Sequence, residues 1–430
     1  MPKTSYLTCL IIFIFFLNNC SFQNTGSFFE NRLEELEKEI QKKNSKLVFT
    51  EAKKFKEEIS GSFEGQIEQG IINSNWNEKN FNSGNHIPHL IYEDNKGLIY
   101  KSKKLGKNKF SLKNSFFEPI IIDDNMFIYD SSGNIYYFSI EKEKLVWKYN
   151  FYKKRYKNLP ILLKLNVSNN NLIISDNLGY LYSLSINSGD LTWAKNYGIP
   201  FKSNIKIQNE NVFLLNQDNK FYNINQNDGE TITSFETFPT LLNSEEETSI
   251  SVDYEKNNLF FITSTGQLYS INYKTNNLNW LLDLSLTERG EKEALFFSSP
   301  IILFDDKLFL SNSVATYSID TRNGRINWQL PFSTSIRPFV LKNFVALVSK
   351  NGFILNLDAK TGKVIWSKNL YKSQKKINEK KFGEITSLLF VSNKILVSTS
   401  KGFFLFIDHK NGEILNYARA SRSGFFSKPV

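Results

Sequence analysis

The chain has 430 residues, of which 41% are hydrophobic and 15% aromatic, so it is long and apolar enough to bury a large core. Its formal net charge of +10 comes from 53 lysines and arginines against 43 aspartates and glutamates. Because the basic residues are dispersed over most turns rather than gathered in a stripe, the composition argues against nucleic acid as a partner. It is compatible with an acidic partner or a membrane surface.

The N-terminus predicts an export signal followed by a lipid anchor. An uninterrupted apolar run covers residues 10–17, and Cys20 follows it after two asparagines. The run is too short to span a bilayer and has the length of a signal-peptide core. Since Cys9 lies inside this signal, Cys20 would be the first residue and the only cysteine of the mature chain. We therefore predict a signal peptide over residues 1–19 and lipidation of Cys20, with an ordinary secretory signal or an uncleaved anchor as alternatives.

The residue after Cys20 agrees with the predicted lipid anchor, and the residues that follow are rich in charge. Cysteine after such a core resembles a bacterial lipobox, and Ser21 resembles the lipoproteins sorted to the outer membrane. Residues 20–60 are rich in glutamate and lysine, and apolar residues recur at helical spacing, as in Leu36 with Ile40 and Phe55 with Ile59. We predict a partly helical spacer that lifts the next domain from the membrane, with a partner-binding helix as the alternative.

From residue 138 onward a short phrase recurs in which, in its best copies, an aspartate, a glycine and a tryptophan stand four residues apart. Asp358, Gly362 and Trp366 form the clearest copy. The tryptophan positions of successive copies are 38 to 50 residues apart, a period typical of solenoids and propellers. Two copies keep the glycine and have Thr233 or Asn416 in place of the indole. The residues assigned to this structural repeat are Trp147, Trp193, Trp280, Trp328, Trp366, Gly189, Gly324 and Gly362.

The content of each period distinguishes a propeller from a solenoid. Between Pro160 and Lys195 the chain has four short apolar or alternating runs, separated by breaks rich in Asn, Asp and Gly. Four antiparallel strands in each period are typical of a propeller blade. We predict an all-β fold, a β-propeller over residues 61–430. The tryptophans are interpreted as packing between blades, because each could bury ~150–250 Å².

The C-terminus bears on the number of blades. Residues 423–430 resemble the opening strand of earlier blades, so the sequence stops where a new blade begins. We predict eight four-stranded blades with the last one incomplete. Truncation is favoured over a ring that closes imperfectly, because an open ring exposes strand edges.

The search for catalytic chemistry finds no candidate. His86 and His89 flank a proline that prevents a helical ligand pair, and His409 lies in a turn. No nucleophile elbow, glycine-rich phosphate loop or EF-hand loop is present in the sequence. We predict no catalytic residue, no metal site and no cofactor.

The repeated phrase resembles that of the pyrroloquinoline-quinone-type, tryptophan-docked propellers. Within that superfamily, the lipobox, the spacer and a single propeller ending in Ser423 to Val430 resemble the BamB-like lipoproteins of the outer-membrane β-barrel assembly machinery. The resemblance implies a non-enzymatic scaffold on the periplasmic face of the outer membrane. It also implies partners: the POTRA (polypeptide-transport-associated) domains of a BamA-like subunit and unfolded outer-membrane protein clients. The candidate partner-binding residues in two loops are Leu241, Leu242, Arg289, Glu291 and Glu293.

Proteins with this repeat could also have one of two other functions. A quinone-dependent dehydrogenase of this superfamily would hold its cofactor in a disc-like pocket with calcium ligands and often a vicinal cysteine pair, which the mature chain lacks. An envelope propeller that binds a ligand is the third possibility.

Overall fold

The computed structural model describes residues 55–73, 75–92, 106, 119–152, 156, 159–238, 247–285, 296–373 and 377–422. These residues contain seven four-stranded antiparallel sheets, each built from four consecutive strands. The prediction of an all-β propeller with four-stranded blades is confirmed. The eighth blade stays a prediction, because residues 423–430, in which we predict its opening strand, lie outside the described residues.

The strands of the first four blades follow in chain order. Blade 1 has β1 (Ile120–Ile122), β2 (Asn125–Tyr129), β3 (Asn134–Ser139) and β4 (Lys144–Asn150). Blade 2 has β5 (Leu163–Ser168), β6 (Asn171–Asp176), β7 (Tyr180–Ser185) and β8 (Leu191–Asn196). Blade 3 has β9 (Lys206–Gln208), β10 (Asn211–Leu215), β11 (Phe221–Asn225) and β12 (Thr231–Phe235). Blade 4 has β13 (Ile250–Asp253), β14 (Asn258–Ile262), β15 (Gln267–Asn272) and β16 (Asn277–Asp283).

The remaining blades repeat the pattern. Blade 5 has β17 (Ile302–Phe304), β18 (Lys307–Ser311), β19 (Thr316–Asp320) and β20 (Ile326–Leu330). Blade 6 has β21 (Phe339–Leu341), β22 (Phe344–Val348), β23 (Phe353–Asp358) and β24 (Val364–Asn369). Blade 7 has β25 (Ile385–Val391), β26 (Lys394–Thr399), β27 (Phe403–Asp408) and β28 (Ile414–Arg419). The helices of the described residues are two single turns, α1 (Leu370–Ser373) and α2 (Glu379–Phe382), and neither is long enough to cross a membrane.

Burial shows which strand faces the centre and which faces solvent. Middle strands such as β6 and β23 are almost fully buried, whereas the fourth strands β8 and β28 are largely exposed. The first strands of successive blades contact one another in order and surround the central channel. The fourth strands therefore form the outer rim.

The hydrophobic core is divided among the junctions between neighbouring blades. One cluster joins Ile135 of blade 1 to Leu172 of blade 2, and five more join the following pairs up to blades 6 and 7. A smaller cluster joins Leu389 and Val391 of blade 7 to Ile121 of blade 1 through Trp76. Each blade is thus stabilised by its neighbours.

Antiparallel strand order gives the propeller two distinct ends. First strands begin, and fourth strands finish, at the same end, which carries the connections between blades; we call it the loop end. The opposite end carries the turns between third and fourth strands, including Gly189 and Gly362, and we call it the turn end. The two ends therefore carry different kinds of connection.

Candidate functional site

At the turn end, each tryptophan of the repeat lies on the glycine turn of the next blade. Trp328 Nε1 donates a hydrogen bond to Ala359 O at 3.0 Å. Gly362 has φ of +70°, and a Cβ added to it would lie 2.6 Å from carbons of the Trp328 ring. Glycine is required there because the backbone is left-handed and the indole occupies the side-chain position. The other pairs are Trp147 on Gly189, Trp193 on Gly229, Trp280 on Gly324 and Trp366 on Gly412.

Sequence reasoning missed that the glycine of one copy serves the tryptophan of the copy before it. Blade 3 has Thr233 at the tryptophan position, and the following blade has Asn276 at the glycine position. Asn276 keeps a positive φ of 59°, and its Nδ2 donates a hydrogen bond to Ser234 O at 2.9 Å. The signal was present in the sequence, because the copy that follows Thr233 has Asn276 in place of the glycine.

The central channel is occupied by the chain itself. Residues 75–92, which we call the channel segment, contact the first strands of all seven blades in blade order. Trp76 pairs with Ile121 of blade 1 through hydrogen bonds of 2.6 and 3.0 Å, and Asn77 O accepts one from Val167 N of blade 2. The local sequence pattern does not predict this course.

The channel segment also forms hydrogen bonds with blades 4 to 7, mostly through its backbone. Ser83 O accepts a hydrogen bond from Val252 N of blade 4 at 3.0 Å, and Gly84 O accepts one from Leu303 N of blade 5 at 2.8 Å. His86 Nε2 lies 2.9 Å from Val340 O of blade 6. Leu90 N donates to Phe390 O of blade 7, and Ser392 N donates back to Leu90 O. These contacts place the segment against the inner wall over the whole circumference.

A buried ion pair fixes the middle of the channel segment. Lys206 of blade 3 is fully buried, and its Nζ donates hydrogen bonds of 2.8 Å to Glu78 Oε2, Asn82 O and Asn85 Oδ1. Asn85 Nδ2 in turn donates to Ile250 O and Ile301 O, both at 2.8 Å, which connects blades 4 and 5. Burial raises the pKa of the Glu78 carboxyl, and the Lys206 ammonium opposes that rise.

The three histidines serve packing and hydrogen bonding. His86 stacks against Phe304 with ring centroids 4.5 Å apart, and burial lowers its pKa to about 4. His89 Nδ1 lies 2.7 Å from Glu68 O, while its Nε2 accepts from Asn393 N. His409 Nδ1 lies 2.6 Å from Asn393 O, and burial lowers the pKa of this imidazole. Across the described residues, no three metal-ligating side chains come together.

The channel is a poor fit for a quinone cofactor. A planar cofactor in the channel would need the volume that Glu78, Asn82, Asn85 and the adjoining backbone fill. These groups are bonded to the surrounding blades rather than directed at a ligand. No catalytic step can be derived from such a channel.

A segment from the N-terminal part of the chain lies along the outer edge of blade 6 and forms one β-bridge with it. Ile59 and Ser367 of β24 exchange backbone hydrogen bonds of 3.2 and 3.0 Å, and Phe55 N donates to Pro331 O. Phe63 is buried in the core between blades 6 and 7. We call residues 55–63 the edge segment. The helical spacing of Phe55 with Ile59 was therefore misleading, since both residues lie in extended chain.

The remaining predicted sites lie outside the described residues. They include Cys20 and the five candidate partner-binding residues. Residues 238 and 247 flank the loop that contains Leu241 and Leu242, and both flanks belong to the connection between β12 and β13 at the loop end. Arg289, Glu291 and Glu293 fall in sequence between β16 and β17, and the end of β16 and the start of β17 also lie at the loop end.

Comparison with known proteins places the repeat in a family. The family profile described as "Outer membrane protein assembly factor BamB" matches residues 131–368 and 332–429. An outer membrane protein assembly factor BamB from Shewanella oneidensis is 24% identical over 183 residues, which are 42% of this chain and 44% of that protein. An uncharacterized protein of Rickettsia conorii is 23% identical over 298 residues, 65% of this chain and 60% of that protein. The chain thus spans less than two thirds of either relative.

Solved structures with the same fold include a BamB and dehydrogenases. BamB from Moraxella catarrhalis has a TM-score of 0.57 and 17% identity, over 70% of this chain and 87% of that one. A europium-containing methanol dehydrogenase has a TM-score of 0.63 and 11% identity, over 82% of this chain and 86% of that one. These likenesses concern the fold alone. Because the family profile covers more than half of its length, the chain belongs to the family described as outer membrane protein assembly factor BamB.

Proposed function

We propose that the protein is a non-enzymatic scaffold of the outer-membrane β-barrel assembly machinery. In this role it binds the periplasmic POTRA domains of a BamA-like subunit and is anchored through Cys20 to the periplasmic face of the outer membrane. Membership of the BamB family supports the assembly role. The observation that carries the non-enzymatic part is the channel segment, which bonds to every blade where a cofactor would bind.

The loop end is the surface on which we expect the partner to bind. Leu241 and Leu242 belong to the connection between blades 3 and 4, and Arg289, Glu291 and Glu293 belong to the next connection. Consecutive blades are neighbours, so residues at the flanks of these two loops share one side of the ring. A paired apolar and charged surface of this kind is typical of a docking site.

The outer rim supports a further role with unfolded outer-membrane protein clients. Ile59 of the edge segment forms a β-bridge with Ser367 of β24, so a blade edge of this protein can pair with another part of the chain. The rim of other blades exposes apolar side chains, such as Leu191 on β8 and Leu278 with Leu281 on β16. These edges would accept extended client segments by the same pairing.

Affinity capture tests the scaffold. We expect tagged full-length protein to recover the BamA-like subunit of its own organism from outer membranes solubilised in mild detergent. Leu241→Ala combined with Leu242→Ala should reduce recovery. Leu191→Ala combined with Leu415→Ala, which changes two exposed rim leucines, should leave it intact. Failure of the unmodified protein to recover the subunit would falsify the proposal.

The anchor and the alternative enzyme have separate tests. Cys20→Ala should release the protein from the membrane fraction, and retention of the variant there would contradict lipidation at this residue.

Pyrroloquinoline quinone with calcium should leave the absorbance and the thermal midpoint of the protein unchanged. A rise in the midpoint that saturates with quinone would instead support a dehydrogenase.

A further inference from the structure

The outer rim of blades 1–3 exposes a row of apolar side chains where each fourth strand begins. Leu145 and Val146 of β4, Leu191 of β8 and Ile232 of β12 are each between 41% and 51% exposed. Because fourth strands begin at the turn end, these side chains lie on one corner of the ring, between the turn end and the rim. Single exposed leucines are ordinary, whereas a row of them on consecutive blades is typical of a contact surface.

The docked tryptophans connect the positions of this row. Trp147 of β4 lies against Gly189, which is two residues before Leu191 in blade 2. Trp193 of β8 lies in the same way against Gly229 of blade 3. Each indole thus spans the step from its own blade to the next, and the row forms one surface from blade 1 to blade 3.

Carboxylates surround this row at the turn end, although the chain as a whole has a net charge of +10. The Glu230 carboxylate forms an ion pair with Lys195 of β8. Those of Glu141, Glu143 and Asp190 form no ion pair within the described residues. We call residues 141–146, 190–191 and 228–232 the acidic corner. The exposed carboxylates at this end of blades 1–3 belong to Asp123, Asp124, Glu141, Glu143, Asp190, Glu210, Asp228 and Glu230, and the ammonium groups beside them to Lys142, Lys144 and Lys195.

The corresponding turns of blades 4–6 have the opposite charge. Between the third and fourth strands they carry lysine or arginine and no carboxylate, as in Lys274 of blade 4, Arg325 of blade 5 and Lys363 of blade 6. Leu278 of blade 4 follows Lys274 and is 47% exposed. Blade 4 therefore presents an apolar side chain at the same corner without the acidic surroundings, which makes it a natural control.

We propose that the acidic corner binds a cationic amphipathic segment of another polypeptide. The apolar row would contact the apolar side chains of that segment, and the carboxylates would pair with its lysines or arginines. An anionic membrane surface or a nucleic acid would be repelled by the same carboxylates. The proposal goes beyond the scaffold function and does not depend on it, because the acidic corner lies at the opposite end from the loops in which we expect the partner subunit to bind.

A labelled peptide provides the test. The probe is a short Leu-Lys repeat with blocked termini and a neutral fluorophore, and its controls are Ser-Lys and Leu-Glu repeats of the same length. Binding to the full-length protein is followed by fluorescence anisotropy, with a blank that contains the same detergent and no protein. We expect the Leu-Lys probe to bind more tightly than either control, and its affinity should fall as salt screens the charges.

Neutralising the carboxylates tests the charged part of the surface. The triple variant Glu141→Gln, Glu143→Gln and Asp190→Asn should weaken binding of the Leu-Lys probe about three- to tenfold at low ionic strength, because each exposed ion pair contributes little. The control variant neutralises as many exposed carboxylates away from the corner and should bind like the unmodified protein. Its substitutions are Glu255→Gln, Asp305→Asn and Glu384→Gln.

Substituting the leucines tests the apolar part. Leu191→Ser combined with Ile232→Ser should weaken binding of the Leu-Lys probe about fivefold or more, because less apolar surface is removed from water. Leu278→Ser combined with Leu415→Ser changes two rim leucines of similar exposure outside the acidic corner, and it should leave binding unchanged.

Three outcomes would overturn the proposal. The first is equal binding of the Leu-Lys and Ser-Lys probes, and the second is an equal loss of affinity in the two triple variants. The third is self-association of the unmodified protein in sedimentation velocity that the Glu141, Glu143 and Asp190 variant abolishes, which would assign the acidic corner to a second copy of the chain.

Discussion

At the scale of single residues, the contact between an indole and the next glycine determines how firmly neighbouring blades are joined. Gly362→Ala would place a Cβ 2.6 Å from the Trp328 ring in a backbone with φ of +70°. We expect a loss of about 3–5 kcal/mol in the free energy of unfolding, from backbone strain, overpacking and the displaced Trp328 hydrogen bond. Urea denaturation measures it.

Gly198→Ala is the control for that substitution. Gly198 has a similar φ of +76°, but nothing lies within 4 Å of an added Cβ. Gly198→Ala should lower the free energy of unfolding only through the strain of the left-handed backbone, by about 1–2 kcal/mol. Equal losses in the two variants would mean that the indole contact contributes nothing.

The second residue-scale prediction concerns the buried ion pair. Lys206→Met leaves the Glu78 carboxylate buried without its counter-charge, so we expect a loss of about 3–5 kcal/mol at pH 8. Without Lys206 the pKa of Glu78 rises further, and the neutral carboxyl then forms as the pH falls through that raised value. The loss should therefore be smaller at pH 5 than at pH 8.

Chemical denaturation of wild type and variant at the two pH values measures the difference. Adding Glu78→Gln to Lys206→Met should recover part of the lost stability at pH 8, since no buried charge remains. Lys394→Met, at an exposed position of β26, should have no effect at either pH. A loss that does not depend on pH would contradict this account of Glu78.

At the scale of elements, the junction between blades 3 and 4 lacks the indole and the glycine together. Thr233→Trp combined with Asn276→Gly restores the missing pair, and we expect it to raise the free energy of unfolding by about 1–2 kcal/mol. Each single substitution should be neutral or destabilising. Thr233→Trp meets the Asn276 side chain, and Asn276→Gly loses the hydrogen bond to Ser234 O.

The double-mutant cycle is the measurement that decides this point. A favourable coupling of about 1–3 kcal/mol between the two substitutions is expected if they form a docked pair. Additive effects would show that the indole does not dock at this junction.

Local sequence predicted the blades well because their determinants are local. Alternation in strands such as β7 and the turn before Trp366 depend on residues close in sequence. The channel segment depends instead on partners as distant as Val340 and Phe390, which meet only when the ring has formed. Its own residues carry no alternation that would indicate this. At Ile59, pairing with Ser367 overrides the helical spacing, as tertiary contacts often override local preference.

At the scale of the whole molecule, the N-terminal segments should decide whether the ring holds together. We expect a chain that begins at residue 54 to keep its thermal midpoint. A chain that begins at residue 65 loses the pairing of Ile59 with Ser367, so its midpoint should fall by a few degrees. A chain that begins at residue 93 lacks the channel segment and should show no cooperative unfolding.

Hydrogen exchange provides a local readout for the same series. The amide of Ser367 donates to Ile59 O, so it should exchange faster in the chain that begins at residue 65. Amides of β8 on the opposite rim should be unchanged. A fully stable ring without residues 55–92 would contradict the role assigned to both segments.

The course of the channel segment has a consequence for how the molecule is made. Its residues meet blade 1 at Trp76, blade 2 at Asn77 and blade 7 at Leu90, which is the order in which the blades leave the ribosome. Because the segment precedes every blade in the chain, it is present before any of them folds. We therefore expect each blade to pack against the channel segment as it forms, so that the centre of the ring is in place before its outer sheets.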